Sequence, residues 1–162
     1  MSGFGAADST SVCLPTPSGE AIGPLAGCNL AALLALDSAA FAQSERWSVE
    51  SWESELENAE VTGLFSAGRL AAVSSFSVMG ESADLRRIET HPDARRHGFA
   101  VKLLEAGFAE CKARGAERVL LEVDEFNEPA LALYAKLGFS EIARRERYYK
   151  NGHAAVVMEK CL

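Results

Sequence analysis

The sequence predicts a mixed α/β (α+β) fold, a sheet of about seven strands covered by helices. Two patterns in the chain predict it. Apolar residues recur with helical spacing in four stretches, around residues 30–41, 49–56, 100–111 and 130–137. Between and after them run short strand-like segments bounded by turn residues. The order of these patterns is a third observation. Strand, two helices, three strands, helix, strand, helix and two strands together describe a mixed sheet under helices.

Each element has a local reason. AIGPL is a short apolar run that reads as a first strand. Asn29 can cap a helix carrying Leu30, Leu33, Leu34 and Phe41. Ser48 can cap a second, with Val49, Trp52 and Leu56 on one face, Glu50 in the first turn and Trp47 placed to staple back onto it. VTGLF, RLAAVSSFSVM and ADLRRIET, separated by Ala67-Gly68 and Gly80-Glu81-Ser82, read as an antiparallel meander. After Gly98, Ala100, Leu103, Leu104, Gly107, Phe108 and Cys111 make one apolar helical stripe, ended by Arg114-Gly115. RVLLEV is nearly continuous in apolar residues, as a central strand buried on both faces would be. Asn127 can cap a helix with Pro129 in its first turn and Ala130, Leu133, Tyr134 and Leu137 on one face, closed by Gly138. IARRERYY and HAAVVMEK flank Lys150-Asn151-Gly152 as a hairpin.

Length and composition narrow the class. The chain's 162 residues suit one domain, with 48% hydrophobic and 24% charged residues. A formal net charge of -7 counts against direct nucleic-acid binding and would suit a basic peptide partner. Cys13, Cys28, Cys111 and Cys161 form no CxxC pair and read as free thiols of a reducing cytoplasm. His91, His97 and His153 lack metal-ligand spacing with them, so no metal site is expected. No basic-then-apolar leader and no membrane-length apolar run is seen, so neither a signal peptide nor a membrane partner is expected. Residues 1–19, rich in Gly, Ser, Thr and Pro, read as a flexible extension, and residues 20–162 as the folded domain.

The segment RRHGFA follows a strand and opens a helix. At such a junction several N–H groups point one way at the positive end of the helix dipole, a geometry that fits phosphate oxygens. Gly98 and Ala100 keep side chains clear of the backbone amides of Arg96, His97, Gly98, Phe99 and Ala100, while Arg95 and Arg96 add positive charge. A basic turn that merely starts a helix reads the same residues equally well. The pattern is neither GxGxxG nor GxxxxGK[ST].

Beyond the single turn, Arg95-x-x-Gly98-x-Ala100 resembles the (Q/R)-x-x-G-x-(G/A) signature of the GNAT family of acetyl-CoA-dependent N-acetyltransferases. The stretch LLEVDEFNEPALALYAKLGF resembles that family's second unit, with Asn127, Ala130, Tyr134, Gly138 and Phe139 matching. The resemblance runs from about Ala21 to Leu162 and implies the GNAT fold, a mixed, mostly antiparallel sheet with helices on both faces. Within the family the chain resembles the RimI-like ribosomal-protein-alanine N-acetyltransferases, at Trp47-Ser48, Leu121-Glu122-Val123, Ala132-Leu133-Tyr134 and Arg147-Tyr148-Tyr149. It departs from them at Arg46, Asp124, Phe126 and Ala154, positions where such enzymes meet the acceptor.

The resemblance implies acetyl-CoA as cosubstrate and a protein N-terminal amine as acceptor, that of a ribosomal protein beginning with alanine. A small-molecule amine or a lysine side chain is the alternative, and a non-catalytic acyl-CoA-binding module a third. It implies Glu122 as general base and Tyr134 as general acid. A carboxylate in a central strand is costly unless paired or facing a cleft, and burial there would raise its pKa. Coenzyme contacts are implied for Ile88, Glu89 and Thr90, through a strand splayed from its neighbour, for residues 95–100, and for Asn127, Ala130 and Tyr134. Tyr148 and Tyr149 read either as acceptor contacts or as aromatic filling of a corner. The expected assembly is a monomer or weak homodimer.

Overall fold

The structure, a computed structural model, describes residues 19–162. The expected extension thus lies, but for Gly19, outside the described residues. Among the described residues, seven strands form one sheet in the order β1-β2-β3-β4-β5-β7-β6. They are β1 (Ala21–Pro24), β2 (Glu60–Ser66), β3 (Arg69–Met79), β4 (Ser82–Thr90), β5 (Arg118–Asp124), β6 (Ser140–Arg145) and β7 (Ala155–Cys161). All neighbours are antiparallel except β4 and β5.

The described residues cover the sheet with the α-helices α1 (Leu30–Ala40), α2 (Val49–Asn58), α3 (Phe99–Ala113) and α4 (Glu128–Lys136). Adjacent residues of β3 show that both faces are used, because successive side chains point to opposite sides. Val73 packs with Leu33 of α1 and Trp52 of α2, whereas Ala72 packs with Phe99 and Leu103 of α3. Phe108 of α3 and Tyr134 of α4 share a core with Leu121, Val123 and Val156, so α4 lies on the α3 side.

Helix ends follow their sequence signals closely. Ser48 Oγ accepts from Ser51 N–H at 3.1 Å, and the Trp47 ring meets Trp52 at 4.8 Å, which is the staple expected across this cap. Gly115 (φ 96°) and Gly138 (φ 94°) end α3 and α4 in the left-handed conformation. In both, the next residue donates back into the helix, Ala116 N–H to Cys111 O and Phe139 N–H to Tyr134 O, each at 3.0 Å.

Several local expectations are corrected. Asn29 precedes α1, but its Oδ1 accepts from Ala26 N–H at 2.9 Å, holding a 3-10 turn over Gly27–Asn29 instead of capping the helix. Val49 is exposed; Glu55 is the buried member of α2 beside Trp52, because Ser75 Oγ donates to it and Arg86 Nε pairs with it, each at 2.6 Å. β5 is buried on one face only, since Leu121 and Val123 are buried and Glu122 is exposed. The final hairpin is wider than expected. β6 stops at Arg145 and β7 starts at Ala155, leaving a loop over 146–154, with Arg147 at φ 51° turning the chain out of the strand. Cys111 and Cys161 are free thiols, but Cys28 is disulfide-bonded, which the absence of a CxxC pair does not signal. No helix of the described residues is long and apolar enough to cross a membrane.

Candidate active site

Two features of β4 prepare the site. Ser75 pairs with Arg87 and Phe76 with Leu85, so Arg86 is an extra, bulged residue. Arg86 and Arg87 consequently both reach the α1/α2 side, to Glu55 and Asp37. On its other edge β4 pairs with β5 only from Ser82 to Asp84. Beyond that point the strands part, and the β4 edge from Leu85 to Thr90 has no strand beside it.

The gap leads to the glycine turn. Gly98 (φ 73°) precedes α3, and Arg96 also takes a positive φ of 66°. The first intrahelical bond of α3 is Lys102 N–H to Gly98 O at 3.1 Å. Among the described residues no acceptor meets the N–H groups of residues 96–101. A Cβ built on Gly98 would find nothing within 4 Å. The helix entrance is therefore open, with unpaired donors and the positive end of the dipole. These residues fit a diphosphate, and the free β4 edge fits an extended amide chain such as a pantetheine arm.

The side chains around this entrance are distributed unevenly. Arg96 is exposed. Arg95 Nη2 instead reaches Ala40 O at the end of α1, at 3.5 Å. The His97 ring turns back onto the loop, its Nδ1 between the carbonyls of Ala94 and Arg95, and stacks on Phe99. Phe99 itself is buried in the core, so only its amide is free for a ligand, while Ala100 is half-buried. Ile88 and Thr90 are half-buried. Glu89 does not face the gap: its side chain is buried against Arg87 and Asp37 on the α1 side. Only the main chain of Glu89 is available to a ligand in the gap.

Across the gap stand Tyr134 and Glu122. Asn127 Oδ1 accepts from Ala130 N–H at 3.3 Å, starting α4 and placing Tyr134 two turns along. Ala130 is half-buried against the same core. Tyr134 is 6% exposed, and its ring meets Phe139 at 5.7 Å. Burial, and then the nearby Tyr149 phenol, push its pKa up to about 12. Glu122 points to the opposite face of β5, which α1 and α2 leave open. It is exposed rather than buried, and Arg145 Nη2 lies 3.3 Å from its Oε1. The Tyr148 phenol is raised chiefly by a hydrogen bond to that carboxylate. Tyr149 is raised by burial and then by the charges of Asp124 and Glu122. Tyr149 thus stands within electrostatic reach of the Tyr134 hydroxyl and of Glu122.

Arg145 and His153, to which the sequence assigns no role, also stand on this side of β5, and Asp124, marked there only as a departure, joins them. Arg145 sits in a charged run that reads as a solvated face, yet it is the cation on Glu122. Asp124 and His153 pair through His153 Nδ1, 2.8 Å from Oδ2. The two-residue step from Glu122 to Asp124 was the available signal, because it puts both carboxylates on one face of a strand. A cavity of about 1370 Å³ lies between β1, the β2–β3 turn, α1 and the loop around His91–His97, reaching Phe99 at the α3 entrance. Neither Glu122 nor Tyr134 lines it.

Comparison with known proteins follows the same outline. Residues 30–139 match the acetyltransferase (GNAT) family. A segment of 82 residues is 39% identical to the [Ribosomal protein bS18]-alanine N-acetyltransferase of Escherichia coli (strain K12), covering 51% of this chain and 55% of that protein. A segment of 58 residues is 43% identical to N-alpha-acetyltransferase 30 of Schizosaccharomyces pombe, covering 36% and 39%. In these matches the chain spans little more than half the length of the curated relatives, or less. The crystal structure of the ribosomal-protein-S18-alanine N-acetyltransferase from Escherichia coli superposes with a TM-score of 0.80 at 31% identity, over 88% of this chain and 93% of that one.

Proposed function

The chain belongs to the acetyltransferase (GNAT) family, and on that premise we propose that it transfers the acetyl group of acetyl-CoA to a protein N-terminal α-amine, that of an alanine-starting ribosomal protein. The observation that carries the reading is the parting of β4 and β5 after Asp84 together with the unpaired amides at the α3 entrance, which support a coenzyme lying along the seam with its acyl end toward Glu122 and Tyr134. The names of the relatives, acting on bS18 alanine or on N-terminal α-amines, support the choice of acceptor.

In this reading the diphosphate of acetyl-CoA sits on the amides of residues 96–101 and its pantetheine arm lies along the free edge of β4. The amine nitrogen attacks the thioester carbon, the N–C bond forms, and the C–S bond breaks. Glu122 takes a proton from the nitrogen; its pairing with Arg145 leaves lone pairs on the carboxylate for this contact. Tyr134, kept protonated at working pH by burial, gives its proton to the departing thiolate. Glu122→Gln and Tyr134→Phe should each lower kcat by about 10²-fold or more, the usual size of a lost acid or base. Acetyl-CoA affinity should change little in either variant.

Steady-state assays with an alanine-starting ribosomal peptide, free lysine, polyamines and free amino acids test the acceptor. The peptide should show the highest kcat/KM. A higher kcat/KM for a polyamine or free amino acid would replace the peptide reading with one in which the open acidic cleft serves small amines.

A further inference from the structure

The Asp124–His153 pair has no part in the reaction as described so far, yet it shares the open face with Glu122. Asp124 ends β5 two residues after Glu122, roughly 7 Å along the strand. Its oxygens lie 2.8 and 3.0 Å from His153 Nδ1, and Oδ1 also accepts from Phe126 N–H at 2.9 Å. Burial opposes the charge of Asp124, but the hydrogen bonds from Phe126 N–H and His153 outweigh it and hold the carboxyl below its usual range. An ionised carboxylate can only accept, so Nδ1 is the nitrogen that carries the hydrogen. Nε2 is then the lone-pair nitrogen, and no described residue meets it. The ring is held edge-to-face against Phe126 at 4.6 Å.

The proposed transfer gives such a nitrogen a task. An α-amine reaches the site largely as ammonium, since its pKa is about 8. It must lose one proton to become a nucleophile and a second as the neutral amide forms. A single carboxylate cannot hold both. We propose that His153, oriented by Asp124, takes the first proton from the incoming ammonium, and that Glu122 takes the second. In the first step an N–H bond of the ammonium breaks, an Nε2–H bond forms, and the electron pair stays on the amine nitrogen. The imidazolium is stabilised by Asp124 and passes its proton to solvent, to which the half-buried side chain is open. The inference rests on the acetyl-transfer reading.

Other charged and titratable groups around the ring are few. Asp124 faces it from β5, and Tyr149 faces Asp124 from the β6–β7 loop. Glu125 is engaged by Arg144 at 3.3 Å and by Ala154 N–H at 2.9 Å. Glu122 is held by Arg145.

The test is kcat/KM against pH from 6.5 to 9, with an alanine-starting peptide, for the wild type, His153→Gln, Asp124→Asn and Glu122→Gln. His153→Gln should lose at least tenfold at pH 7 and recover to within about threefold of wild type at pH 9, where the amine is already mostly neutral. Asp124→Asn should follow the same curve, and Glu122→Gln should stay low throughout. A His153→Gln loss that is equal at every pH, or smaller than twofold at pH 7, overturns the proposal. Stabilisation by acetyl-CoA checks that each variant folds; should His153→Gln fail that check, the Asp124→Asn profile decides. If Glu122→Gln is impaired and the other two are not, the relay falls and the transfer reading stands. If the wild type acetylates no amine, both fall.

Discussion

Glu89 lies in β4 with its side chain 1% exposed and no donor meeting either oxygen, while Arg87 Nε stands 3.6 Å away. As a carboxylate it would be buried without a hydrogen bond; as an acid it can donate to Asp37. Burial first, and then that contact, push its pKa up to about 9. Asp37 is the ionised partner: burial opposes its charge, but Arg87, Glu89 and Trp47 N–H hold it below the usual range. Between about 4.5 and 9 the folded protein therefore holds a proton that the unfolded chain has released. The sign follows: stability is fully present below the unfolded value and is lost progressively as pH rises to about 9. Glu89→Gln keeps the shape and a donor toward Asp37 but has no proton to lose. It should raise the Tm by a few degrees at pH 8 and leave it nearly unchanged at pH 4.5. An equal Tm at pH 8 would mean that Glu89 is ionised in the fold. The sequence marks Glu89 only as part of a strand that meets the coenzyme. Its side-chain fate depends on which face it takes after the Arg86 bulge, and a bulge leaves no residue signature in ADLRRIET.

Helix α3 was legible from end to end, because Gly98, the apolar stripe and Arg114-Gly115 are all local signals. Its closeness to the sheet was not. A Cβ on Gly107 would stand 2.2 Å from the Phe76 ring, so α3 and β3 touch where glycine allows it. Gly107→Ala should destabilise the protein by about 1–3 kcal/mol, the usual cost of overpacking. At about 2–4 °C per kcal/mol, thermal unfolding would show a clear drop in Tm. Gly98→Val should behave differently. The space around it is open, and the cost to the free protein is the strain of φ 73° on a branched residue, about 1–2 kcal/mol. Its larger effect should fall on acetyl-CoA affinity, read by calorimetry, because the side chain would stand over the unpaired amides. The last hairpin was the least legible element. IARRERYY looks continuous, but the chain leaves the strand at Arg145 and its next nine residues bring Tyr148, Tyr149 and His153 to Glu122 and Asp124 at the end of β5.

At the scale of the molecule, the number and order of the strands could be read locally, while their neighbours could not. Nothing local in HAAVVMEK says that β7 enters between β5 and β6, or that β4 and β5 part after Asp84; both depend on pairing between distant segments. In the proposed function the seam so made is the feature on which ligand binding depends, with residue 98 at the diphosphate and residues 122 and 134 at the acyl end. If acetyl-CoA grips it at the diphosphate, then coenzyme A without the acetyl group should grip it too. At 100 times the dissociation constant either ligand should stabilise the fold by about 2.7 kcal/mol. For a domain of this size that is a rise in Tm of roughly 5–10 °C. Gly98→Val should lose most of the rise with both ligands, whereas Glu122→Gln should keep it. A rise with acetyl-CoA alone would move the main grip to the acyl end, beside Tyr134. No rise with either would mean that the open amides of α3 and the free edge of β4 do not form a coenzyme site, however closely the fold resembles that of its relatives.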